Sequence, residues 1–202
     1  MEEYRLSNGV TIPKIGFGTW QIPDGEEVYN SVTHALKVGY RHVDTAQIYR
    51  NEVGVGRAIA DSGLAREEIF LTTKVWNDKH DYDLAKASIE ESLEKLGVDY
   101  VDLLLIHWPN PKALREQDAW KAGNAGAWKA MEEAYRAGKV RAIGVSNFMI
   151  HHLEALLETA DIKPHVNQVL LAPGCSQDEL VAFCSQHEIL LEAYSPLGTG
   201  SI

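Results

Sequence analysis

Seven short, largely apolar runs, at 15–18, 41–45, 70–75, 101–107, 142–146, 166–169 and 190–194, punctuate this chain, and longer amphipathic segments separate them. That alternation constrains the fold more than any other feature. Val101 and Leu103-Leu104-Leu105-Ile106 lack the polar alternation of a half-exposed strand, as expected of a parallel sheet covered on both faces. In the intervening segments Val28, Val32, Ala35 and Leu36 share one helical face, as do Ala85, Ile89, Leu93 and Leu96, so each helix has a stripe to lay on a sheet. Asp24 with Glu27, and Ser176 with Glu179, have the offset of a capping box, while Gly39, Gly63, Gly97 and Gly138 supply helix stops. Repeated βα units follow. Ahead of them, 4–6 and 10–12 flank Ser7-Asn8-Gly9, a tight hairpin signal.

Two architectures are built from repeated βα units: an open doubly wound sheet and a closed barrel. Gly16-Phe17-Gly18 and Gly54-Val55-Gly56 each lack the third glycine of a dinucleotide fingerprint, and Gly198-Thr199-Gly200 runs into the chain end. The barrel is therefore the expected fold. Composition sets further bounds: 202 residues at 45% hydrophobic content are enough for one sizeable core. The net charge of -10, with lysine and arginine scattered, argues against nucleic acid or anionic membranes as partners. No apolar run approaches a membrane span and the N-terminus is acidic, so a cytoplasmic protein is expected. Cys175 and Cys184 have no metal-ligand spacing around them and read as reduced structural thiols.

In a (β/α) barrel the chemistry sits at the C-terminal ends of the strands. Asp44, Lys74 and His107 terminate three apolar runs, and Tyr49 follows Asp44 by five residues. Singly, each has a plainer reading: Asp44 as a helix cap, His107 as a satisfied core histidine, Lys74 as a snorkelling side chain and Tyr49 as packing. Together they suit proton transfer. A buried Lys74 needs a counter-charge, for which a carboxylate on the neighbouring strand is the simplest source. That cation beside Tyr49 is expected to lower the phenol's pKa, and His107 to orient an oxygen beside it. The set protonates a carbonyl as it becomes an alcohol, and it requires a separately bound hydride donor.

The run Gly39-Tyr40-Arg41-His42-Val43-Asp44-Thr45-Ala46, with Tyr49, Asn51-Glu52 and Gly56, resembles the first signature of the aldo-keto reductase family. Arg141-Ala142-Ile143-Gly144-Val145-Ser146-Asn147-Phe148 resembles the second. Leu71-Thr72-Thr73-Lys74-Val75 and Leu104-Leu105-Ile106-His107-Trp108-Pro109 are similar to the segments carrying that family's lysine and histidine. The resemblance implies Tyr49 as general acid, Lys74 and Asp44 as its tuning pair, and His107 as the group orienting the carbonyl. It implies an NADPH site, with NADH as a second possibility: Ser146, Asn147 and Gln168 on the carboxamide, Tyr194 stacked on the ring, Ser195 and Leu197 along the pyrophosphate, and Gly18, Thr19 and Asp44 beside them. Trp20 and Trp108, with Tyr49 and His107, would hold a small carbonyl substrate; Trp76 is a weaker candidate for the pocket wall. Trp120 and Trp128 read as a loop anchor and a helix face, His151 and His152 as solvated, and no metal is expected.

The family pattern continues past Gly198 with a helix, an eighth strand bearing a basic motif for the adenosine phosphate, and a last helix. The sequence ends at Ile202, so the expectation is one domain over 1–202 with seven of eight barrel strands, preceded by the hairpin. An unclosed remnant leaves the first and seventh strands with unpaired edges, which predicts either a truncated record of a longer enzyme or poor folding alone. Leu170 and Ala172 stand where the family usually has Glu and His, with little expected effect because Gln168 is kept. The chain resembles the compact bacterial reductases of diketo sugar acids and glyoxals, and a monomer is expected if it is complete. The alternatives are a nucleotide-binding regulatory module of the same fold and an inactive fragment.

Overall fold

The computed structural model describes residues 2–198. Strands β1 (Glu3–Arg5) and β2 (Thr11–Pro13) pair antiparallel around a turn in which Gly9 takes φ 90°. After them come β3 (Phe17–Gly18), α1 (Glu26–Lys37), β4 (His42–Asp44), α2 (Glu52–Ala60), β5 (Phe70–Val75), α3 (Tyr82–Leu96) and β6 (Val101–Ile106). The chain continues through α4 (Ala119–Arg136), β7 (Val140–Ser146), α5 (Ile150–Leu157), β8 (Val166–Leu170), α6 (Asp178–Gln186) and β9 (Leu190–Tyr194). All seven expected strands are present, several trimmed or extended at their ends.

Strands β3 to β9 form one parallel sheet in strict sequence order. A doubly wound sheet reverses its strand order at a switch point; this sheet does not. In a flat sheet β4 and β9 would lie ~24 Å apart, at ~4.8 Å per strand. Instead His42 Nε2 on β4 is 3.9 Å from Glu192 Oε1 on β9, and Gln168 on β8 donates to Asp44 on β4 at 2.9 Å. The sheet is therefore curled into the wall of a (β/α) barrel. Among the described residues, β3 and β9 are its edges.

Two apolar clusters follow from the strand period of two. Val43, Leu71, Leu104, Ile143 and Val169 point outward and pack with Val32, Ile89, Trp128 and Leu153 from the helices. Phe70, Leu103, Leu105, Ala142 and Val166 point inward, where Leu6 and Ile12 from the hairpin close the floor. Gly144 fits this interior because a Cβ there would sit 2.8 Å from Leu105 Cδ2 and 2.5 Å from the Val166 carbonyl oxygen. Gly56 is needed for a similar reason on the outside, since its α2 position abuts the backbone of Leu96 in α3.

The glycine stops hold: Gly97 ends α3 at φ 64°, and Gly39, Gly63 and Gly138 also take positive φ. The two capping boxes do not. Helix α1 is preceded by Gly25 with no side-chain cap, and Asp24 Oδ1 instead accepts from Gly54 N of α2 at 2.9 Å. Helix α6 is preceded by Gln177 at φ 50°, and Ser176 caps nothing. Helix α3 does carry a side-chain cap, Asp81, which accepts from Asp83 N and Leu84 N. Two surface readings also change. Trp120 lies in α4 rather than in a loop, and His152 is buried against it at 4.8 Å between ring centroids while its Nδ1 accepts from Met149 N. His151 is exposed, Trp128 is buried with its indole N–H on the Ile162 carbonyl, and both cysteines are free. Among the described residues no helix is long and apolar enough to cross a membrane.

Candidate active site

The inward positions change character with height. Along β5, Phe70 joins the floor, Thr72 Oγ1 meets His42 Nε2 at 2.9 Å, and Lys74 reaches Asp44. Lys74 is 1% exposed, with Nζ donating to Asp44 Oδ1 at 2.5 Å and to the Thr45 carbonyl at 3.0 Å. The other Asp44 oxygen accepts from Gln168. The buried ammonium thus has its counter-charge on the adjacent strand, as expected.

Past Asp44 the chain turns through a single 3₁₀ turn, Gln47–Tyr49, which brings the Tyr49 ring centroid to 5.2 Å from Lys74 Nζ. His107, just beyond β6, stands edge-on to Tyr49 at 5.7 Å and 78°. Trp76 packs edge-on against the same imidazole at 5.1 Å, a closer approach than its secondary rank in the sequence suggested. Gln47 ties the turn down: Nε2 donates to the Ser88 carbonyl and Ser92 Oγ, and Oε1 accepts from Trp76 N at 2.9 Å. Nothing in the sequence separated Gln47 from an ordinary polar loop residue.

The electrostatics correct one expectation. Burial raises the Tyr49 pKa above the ordinary phenol value; Lys74 pulls it down and Asp44 pushes it up, but burial wins. The phenol is therefore held protonated, the state required of a proton donor. Burial likewise lowers His107 to about 3, with Lys74 adding to the effect against Asp44, so this imidazole is neutral. Among the described residues its Nδ1 has no hydrogen-bond partner. Lys74 stays cationic: desolvation opposes its charge, but Asp44 and Tyr49 together raise it above the ordinary lysine value.

A second group lines the ends of β7 to β9. Ser146 Oγ donates to the Gln168 carbonyl at 2.8 Å, Asn147 Nδ2 to the His107 carbonyl at 3.0 Å, and the Tyr194 hydroxyl to Asn147 Oδ1 at 3.0 Å. Asn147 takes φ 63° and Ser195 φ 47°, sparsely populated for residues other than glycine. On the opposite edge, Thr19 donates through N and Oγ1 to the Asp44 carbonyl, and Gly18 beside it leaves open space where a Cβ would stand. Asn51 fixes that loop by donating to the carbonyls of Thr19 and Ile22. Trp20 and Trp108 are 56% and 42% exposed on the rim. Leu197 is the outlier, 74% exposed and outside the gathered cluster.

The Aldo/keto reductase family model matches residues 14–202. The chain belongs to the aldo/keto reductase family. Its sequence is 50% identical over 198 residues to the glyoxal reductase of Bacillus subtilis, covering 98% of this chain and 68% of that protein. The crystal structure of an aldo/keto reductase from Brucella melitensis superimposes with TM-score 0.91 at 46% identity, over 98% of this chain and 73% of that one. A Bombyx mori aldo-keto reductase in complex with NADP matches at TM-score 0.83 and 37% identity, over 96% and 66%.

Proposed function

We propose that this chain reduces an aldehyde or ketone to an alcohol, with the hydride from NADPH and the proton from the Tyr49 phenol. One observation carries the reading: a buried ammonium, Lys74, is fixed between the Asp44 carboxylate and the Tyr49 ring at the inner rim of the barrel. A phenol kept neutral by burial yet facing a permanent cation is stable as an acid and gains stabilisation from that cation as its proton leaves. Neutral His107 donates a hydrogen bond to the carbonyl oxygen and places it beside the phenol. Trp20, Trp76 and Trp108 supply the apolar walls that exclude water from the carbonyl.

The donor set fits a nicotinamide. A hydroxyl, a carboxamide and a flat ring, from Ser146, Asn147 and Tyr194, form one hydrogen-bonded group on the Gln168 backbone carbonyl, while the Gln168 carboxamide is held beside it on Asp44, and together they are the complements of a carboxamide on an aromatic ring. Ser195 and Leu197 would flank the pyrophosphate, with Gly18, Thr19 and Asp44 on the other side. The bound nicotinamide supplies the hydride. NADPH is favoured over NADH by the NADP complex of the Bombyx mori relative.

In this reading the working unit is a monomeric cytoplasmic barrel with a small carbonyl substrate, no metal and no nucleic-acid partner. Glyoxal-type aldehydes are the first substrates to try, by likeness to the Bacillus subtilis protein. The test mixes the chain with NADPH and methylglyoxal and follows NADPH consumption. Turnover supports the reductase; tight NADPH binding without turnover replaces it with a nucleotide-binding module; neither result leaves a chain without activity, and the reading fails.

A further inference from the structure

The inward position on β9 between Leu190 and Tyr194 carries Glu192, whose side chain is 20% exposed. Oε1 is 3.9 Å from His42 Nε2, and among the described residues Oε2 has no hydrogen-bond partner. Glu192, His42 and Asp44 each offer an atom within 4.8 Å of the others. Two carboxylates therefore lie close together under the influence of one ammonium, Lys74, whose hydrogen bonds go to Asp44 and the Thr45 carbonyl. His42 gives limited relief, since its Nε2 is engaged with Thr72 Oγ1 and its Nδ1 lies under Gly16, where a Cβ would come within 2.8 Å. Gln168 gives its Nε2 to Asp44. The charged and titratable groups facing Glu192 are thus His42 and Asp44 from β4 and Lys74 from β5, with the Gln168 amide from β8.

We propose that Glu192 is a positioning residue for the proton transfer from Tyr49, a second acid whose charge acts on the phenol through the Asp44–Lys74 pair. The inference rests on reading Tyr49 as the proton donor. With Glu192 protonated, Lys74 faces one anion and its field reaches Tyr49. When Glu192 releases its proton to solvent, with no other bond changed, the same cation faces two anions and stabilises phenolate less. Burial, the largest influence, and Asp44 both push the Glu192 carboxyl above the ordinary range, while His42, Gln168 and Lys74 pull it back. Tyr49 thereby becomes a weaker acid as pH rises through the Glu192 midpoint, and reduction slows.

The experiment titrates the Tyr49 phenol by NMR in the full chain labelled at tyrosine Cζ, with Tyr49→Phe to assign the signal. Glu192→Gln, close in shape and without charge, should lower the Tyr49 midpoint by about half a pH unit, roughly threefold in proton affinity. Glu192→Asp should return it toward wild type, which a merely structural role would not require. A second titration, of carboxyl-labelled glutamate, should show the Glu192 midpoint falling by about one unit, tenfold in affinity, in Asp44→Asn. A Tyr49 midpoint unmoved by Glu192→Gln, or a Glu192 midpoint unmoved by Asp44→Asn, overturns the proposal. Both readouts are independent of turnover, so an inactive chain with shifted midpoints counts against the reductase reading and leaves the coupling standing.

Discussion

The floor and the rim of the barrel interior come from the same strands, two to four residues apart, yet differ in what a side chain does there. Phe70 and Lys74, Leu103 and His107, Val166 and Gln168, and Leu190 and Glu192 are vertical neighbours, the lower of each pair apolar and the upper polar. The pleat delivers both inward. Below, each side chain packs against several equivalent ones, and the hairpin's Leu6 and Ile12 keep water out. Above, each group has one or two specific partners, so a loss is not shared among neighbours.

The largest effect is expected from Lys74→Met, which leaves the Asp44 carboxylate with Gln168 alone. Breaking a buried ion pair costs about 3–5 kcal/mol, and NADPH consumption should fall about 100-fold or more as the field on Tyr49 is lost. Denaturant unfolding and initial rates check both; normal turnover would remove the rim's claim to specific chemistry. Leu103→Ala, on the floor, should cost about 2–5 kcal/mol in the same unfolding assay with kcat/KM unchanged. A large drop in kcat/KM there would erase the distinction between the two levels.

The floor was legible in the sequence because it is periodic. Short, largely apolar runs marked the seven strands of the sheet, and spacing alone put Val28, Val32, Ala35 and Leu36 on the buried face of α1. The rim was partly legible, because Asp44, Lys74 and His107 break apolar runs at strand ends. Glu192 also interrupts an apolar run, but in mid-strand, where period and type give no warning of a partner on β4. Asp24 failed as a cap for a related reason: the amide it satisfies belongs to Gly54, thirty residues on. The Tyr49 pKa was misjudged because a nearby cation can be read from sequence, whereas the depth of burial that outweighs it cannot.

Two smaller effects sharpen the comparison. His107, His80 and His152 are all lowered, to about 3, 4 and 4, chiefly by burial. Each is neutral when folded and takes a proton more readily when unfolded, so the unfolded state binds more protons below pH 6.5. Stability should therefore be retained above pH 6.5 and fall toward pH 4, by up to about 1.4 kcal/mol per unit for each histidine. Unfolding free energies across that window check the sign. Gln47→Ala, which frees the turn carrying Tyr49, should cost about 1–3 kcal/mol through its lost hydrogen bonds and lower kcat more than it raises KM.

The most direct test of the rim as a proton-transfer site compares wild type with Tyr49→Phe, measuring NADPH consumption with a reactive aldehyde on samples of matched melting temperature. Loss of turnover by about 100-fold or more, with NADPH binding retained, is the predicted result. A Tyr49→Phe chain that turns over as fast as wild type would contradict the account.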